Sequence, residues 1–86
     1  MPEISRFFGI IIRMYFDDHP PPHFHAIYGD EEAQISIEPV AMLNGRFPRR
    51  ALSMVFEWTA LHQQELMENW QHLQENQPTE RIEPLD

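Results

Sequence analysis

From Arg49 to Asn76 the chain contains neither glycine nor proline, and prolines bound this run at positions 48 and 78. In a chain of 86 residues, so long an uninterrupted run commits roughly a third of the length to helix. Pro48 suits the first helical position, where the missing N–H has no intrahelical partner to lose and φ is preset. At about 100° per residue, Ala51, Leu52, Val55, Trp58, His62, Leu66, Trp70 and Leu73 fall on one stripe, widened by Met54 and Leu61. The spacing predicts one long amphipathic helix over about 48–76, laid on a sheet. At 1.5 Å per residue such a helix spans roughly 40 Å, so its second half is expected to overhang a small sheet and expose Trp70 to a partner or a second subunit.

The first half reads as strands. "ISRFFGIIIRMYF" over 4–16 is rich in β-branched and aromatic residues, with Ile4, Phe8, Ile10, Ile12, Met14 and Phe16 along one alternating face. It is expected to be a strand, bent at Gly9. "DDHPPP" follows as a loop, because prolines cannot donate to a ladder. "HFHAIY" (23–28) and "AQISIE" (33–38) flank the polar turn "GDEE" and predict a hairpin. Asn44–Gly45 marks a short further hairpin over 41–47. The tail, 79–86, is extended, with Ile82 and Leu85 able to dock. The expected architecture is a single α+β domain: an antiparallel β-meander of three to four strands followed by one long amphipathic C-terminal helix packed on one face.

Charge narrows the function classes. The formal net charge is −8, and residues 51–86 carry seven acids against one arginine. Such a surface repels a phosphate backbone, so nucleic acid is an improbable partner, while a basic protein partner suits it. There is no cysteine and no long apolar run, which predicts a cytoplasmic chain without disulfides, thiolate metal sites or a membrane span.

"HPPPHFHA" (19–26) holds three of the five histidines. His23 and His25 are two apart on a predicted strand, so both rings point to one side and can share a metal ion such as Zn2+. A catalytic zinc site needs about three protein ligands, and His62, Asp17, Asp18 or His19 could supply the third. His62 stands out because it is a polar ring in the middle of the apolar helix stripe. If Phe24, Ala26 and Tyr28 form the core face instead, His23 and His25 are its solvent-side neighbours and the prolines only stiffen the strand entry. "RFPRR" places Arg46, Arg49 and Arg50 together as a basic patch that could hold a phosphate, a carboxylate or a partner, or answer Asp30, Glu31 and Glu32.

"MPEISRFFGIIIRMYFDDHPPPHFHAIYG", "PRRAL", "LHQQELMENW" and "RIEPL" together resemble the bacterial domain-of-unknown-function family numbered 4160. The signatures "PPHFHA" and "LHxxELxxNW" carry the likeness. The resemblance implies that His23, His25 and His62 form one place on the molecule. It also implies gene neighbourhoods similar to toxin–antitoxin pairs, with a protein partner encoded nearby.

Three functions follow as expectations. The first is a protein-interaction component of a toxin–antitoxin-like two-gene module, using Arg49, Arg50 and Trp70, with homodimerisation an option. The second is a small metal-independent ribonuclease or hydrolase with His23, His25 or His62 as acid or base and Arg13 steadying phosphate charge. The third is a divalent-metal-binding protein built on His23, His25 and His62.

Overall fold

The computed structural model describes residues 3–16 and 18–86. Five strands, β1 (Glu3–Phe7), β2 (Ile10–Arg13), β3 (His23–Tyr28), β4 (Glu31–Ser36) and β5 (Ala41–Gly45), precede two helices, α1 (Arg49–Leu61) and α2 (Gln63–Gln74). The strands form one antiparallel meander in the order β1-β2-β3-β4-β5. The α+β class and the meander agree with the sequence pattern, while the numbers of strands and helices differ from it for local physical reasons.

The single strand expected over 4–16 is a hairpin, because Phe8 and Gly9 both take positive φ, 49° and 79°, and Phe7 pairs with Ile10. Two positive φ values are the requirement of a type I′ turn. Phenylalanine carries no turn signal, so the apolar run concealed the reversal. Phe8 is strained there and 57% exposed. Phe8→Asn, which favours this conformation, is therefore expected to raise stability by about 1 kcal/mol, read as a rise in thermal midpoint of about 4–8 °C.

The β3–β4 turn is also tighter than "GDEE" suggests. Tyr28 pairs with Glu31, leaving Gly29 and Asp30 as the loop, with Gly29 at φ 59°. Glu31 and Glu32 thereby become strand residues. Asn44–Gly45 lies inside β5 and makes no hairpin; the β4–β5 reversal runs through 37–40. Gly45 serves close approach, because a Cβ on it would sit 2.3 Å from the Glu32 carbonyl oxygen.

One face of the sheet carries Ile12, Phe24, Ala26, Ala33 and Ile35, all buried against Val55, Trp58 and Leu66 of the helices. Trp58 centres this core: its ring lies 5.3 Å from Phe7 and 5.7 Å from Phe24, and its Nε1–H donates to the Glu83 carbonyl at 2.8 Å.

The expected single helix breaks at His62, whose φ of −126° is non-helical and whose N–H turns back to the Thr59 carbonyl. Thr59, buried, bonds the Val55 carbonyl through its hydroxyl, a back-bond that bends helices. Gln63 then donates to the Ile37 carbonyl at 2.8 Å and ties the start of α2 to the end of the sheet. A straight helix of roughly 40 Å would exceed the longest dimension of the molecule, 34 Å. The break removes the overhang, and Trp70, expected at an exposed end, is instead 8% exposed within the core.

The tail docks as expected of Ile82 and Leu85. The Asn69 side chain exchanges two hydrogen bonds with the Glu80 backbone, and the Ile82 N–H donates to the Ile4 carbonyl at 2.8 Å. Arg81 and Arg6 both reach Glu3, and the Arg6 hydrogen bond foremost holds the Glu3 carboxyl below the usual carboxylate range. Among the described residues no helix is long and apolar enough to cross a membrane.

Candidate metal centre

Strand alternation sets His23 and His25 on the face opposite Phe24 and Ala26. The two residues are nevertheless only 5% and 7% exposed. Their cover comes from the chain following β2 and from α2. Tyr15 meets the His25 ring edge-on at 4.5 Å, and Trp70 lies 5.4 Å from the His23 ring. The two histidine rings are 5.4 Å apart.

The hydrogen-bond partners orient both rings alike. His23 Nδ1 faces the Pro21 carbonyl at 2.8 Å, a pure acceptor, so this nitrogen donates, and in the neutral ring Nε2 presents its lone pair. His23 Nε2 points at Asp18 Oδ2, 3.4 Å away. His25 Nε2 meets the same oxygen at 3.0 Å, while its Nδ1 meets Glu32 Oε2 at 3.0 Å. A neutral imidazole has one N–H and can satisfy only one of two carboxylates; the second nitrogen needs another proton or a cation. In a neutral His23 ring the Nε2 lone pair faces a carboxylate oxygen, and there too a second ring proton or a cation satisfies the contact.

This arrangement can hold a metal ion with outer partners on both rings. Imidazole ligands usually donate their second N–H to a carbonyl or a carboxylate, which fixes the ring and raises its basicity. Pro21 and Glu32 take these parts for His23 and His25. The donor atoms of Asp18, His23 and His25 all lie within 4.8 Å of one another. For an ion about 2.1 Å from each donor, neighbouring donors are about 3.0 Å apart in an octahedron and about 3.4 Å apart in a tetrahedron. The observed separations from Asp18, 3.0 and 3.4 Å, fall within this range. Two nitrogens and one oxygen suit Zn2+, Fe2+ or Mn2+ and leave coordination positions for a further ligand. A cleft of about 230 Å³ adjoins the centre, lined by Asp18, His19, Pro20, Pro21, His23, Gln34 and Leu43.

Of the four residues weighed as third ligand, Asp18 stands with the histidines. His19 lines the adjoining cleft, and Asp17 lies outside the described residues. His62 is placed elsewhere, at the helix break, where Nδ1 contacts Glu65 and the ring packs 5.5 Å from Trp58. Its position on the apolar stripe reflects that stacking. Arg13 pairs with His25 in register and so shares its face, with its Nε buried and without a hydrogen-bond partner among the described residues. Arg49 and Arg50 are exposed on the first turn of α1 and make no ion pair among the described residues. Glu32, expected in the "GDEE" turn, is a residue of β4. Once the turn is two residues long, Ile27 pairs with Glu32 and His25 with Gln34, which makes Glu32 the diagonal neighbour of His25.

Fold and site together define a small α+β domain whose meander carries a two-histidine, one-carboxylate cluster on the face away from its core. The chain belongs to the family described as "Domain of unknown function (DUF4160)", whose profile matches residues 9–71. The matched span contains Asp18, His23, His25 and Glu32. Neither a curated protein nor a solved structure matches the chain.

Proposed function

We propose that the protein binds one divalent transition-metal ion through Asp18 Oδ2, His23 Nε2 and His25 Nε2. The observation that carries this reading is the shared orientation of the two rings: each Nδ1 is engaged by an outer partner, and both Nε2 atoms converge on one carboxylate oxygen. Equilibrium dialysis against zinc, iron(II) or manganese is expected to retain one ion per chain. Acidification displaces it, because protons compete for the same ring nitrogens. A chain that retains none of these ions at micromolar concentration would refute the reading.

Glu32 acts through His25, so Glu32→Gln is expected to weaken zinc binding by about 10–100-fold without abolishing it. Competition with a chromophoric chelator measures this. An unchanged affinity would show that the contact is incidental to the centre.

A second reading, a component that works through protein–protein contact, is supported by one feature of the sheet. The outer strand β5 is exposed along most of its length, with Met42 and Leu43 at 40% and 44% exposure. Co-purification with the product of a neighbouring gene tests it, and absence of a complex at micromolar concentration ends it.

A further inference from the structure

The two edges of the sheet differ. Along β1 the chain's own tail lies in place, joined by the Ile82 N–H to the Ile4 carbonyl. Beyond β5 nothing pairs among the described residues. Edge strands are normally blunted by charge, proline or a bulge, and "AMLNG" has neither charge nor proline. Its bulge, with Leu43 the extra residue against Gln34 and Ile35, adds local twist. An identical strand carries the same twist, so a second β5 is the one partner strand that this bulge does not misalign.

The side chains along the edge also suit a copy of themselves. Met42 pairs with Ile35, a core residue, and so stands on the core side of the sheet. With no strand beyond it among the described residues, it is 40% exposed. Glu38, in the turn before β5, and Arg46, directly after β5, are exposed, and neither joins an ion pair among the described residues. Two antiparallel copies of β5 with a two-fold axis at Met42 set Met42 against its own counterpart. The same register opposes Ala41 with Leu43 and brings Arg46 of each copy to the turn that carries Glu38 of the other.

We propose that the protein pairs with a second copy of itself through β5, continuing the sheet across a two-fold axis at Met42, with reciprocal Glu38–Arg46 ion pairs at the two ends. Such an interface is self-complementary, as closed two-fold symmetry requires. The proposal does not rest on the metal reading, since no residue of this pairing belongs to the Asp18, His23 and His25 cluster. Two chains of −8 repel at a distance, but physiological salt screens beyond about 8 Å. At the edge itself, residues 38–50 hold three arginines against one acid. A strand of five residues offers a small interface, of the size class that associates reversibly, so a Kd of about 10–100 μM is expected.

The test is sedimentation equilibrium of the full chain between about 5 and 500 μM, a range that brackets that Kd. A monomer–dimer equilibrium is expected. Arg46→Glu and Glu38→Arg each set like charges at both ends and weaken the dimer by about tenfold. Mixed in equal amounts, the two variants meet with opposite charges at both ends, and the heterodimer regains an affinity near that of the wild type. Met42→Lys places a charge against its own copy on the axis and leaves the chain monomeric. A wild type that stays monomeric throughout the range overturns the proposal. A dimer that survives Arg46→Glu or Met42→Lys, or variants that do not recover on mixing, overturn it as well.

Discussion

His25→Ala is expected to lose stoichiometric zinc binding, with affinity falling by at least about 100-fold, the upper end of what outer-sphere partners alone are worth. The wild type at a zinc concentration of about 100 times Kd gains about 2.7 kcal/mol, which for a domain this small raises the thermal midpoint by about 10–20 °C. The variant shows no such rise. Its fold is expected to survive, because the ring lies on the face away from Trp58 and Phe24. His62→Ala is the counterpart: with His62 at Glu65 and Trp58, zinc affinity stays within about twofold of wild type. Differential scanning fluorimetry with and without zinc reads both variants. Zinc retained by His25→Ala, or lost by His62→Ala, would place the centre elsewhere.

Gly45→Ala is expected to destabilise the fold by about 3 kcal/mol or more, a fall in thermal midpoint of about 12–24 °C. Two penalties coincide. The residue sits at φ 102°, which an L side chain rarely adopts, and its Cβ would meet Glu32 O at 2.3 Å and Ala33 Cα at 2.7 Å. Both contacts are backbone, so no side chain can swing aside. Relief requires β5 to draw away from β4, the strand that carries Glu32. Urea denaturation measures the loss; a change below about 1 kcal/mol would mean that β5 is not held as described. Gly29→Ala provides the contrast, since it shares a positive φ but meets no atom within 4 Å.

The class of fold was legible in "AQISIE", whose alternation requires one buried and one wetter face, and in the unbroken run between Pro48 and Pro78. The pairing of His23 with His25 was equally legible, because a spacing of two on a strand has a single geometric meaning. The breaks were less so. Phe8 adopts a left-handed conformation against its own preference, since the register of Phe7 with Ile10 overrides the local cost. The helix divides at His62 without glycine or proline, where the Thr59 back-bond and the Gln63 anchor bend it around the sheet.

The carboxylate that meets both histidines lies in the same category. Asp18 belongs to a loop, and its approach to His23 and His25 depends on how the chain after Arg13 crosses the sheet. Glu32 required the true length of one turn. Composition and period thus establish the layers and the side on which each strand residue stands, because both follow from bonds between near neighbours. The carboxylates beside the histidines come from segments whose placement is governed by long-range packing, and only the folded chain brings them together.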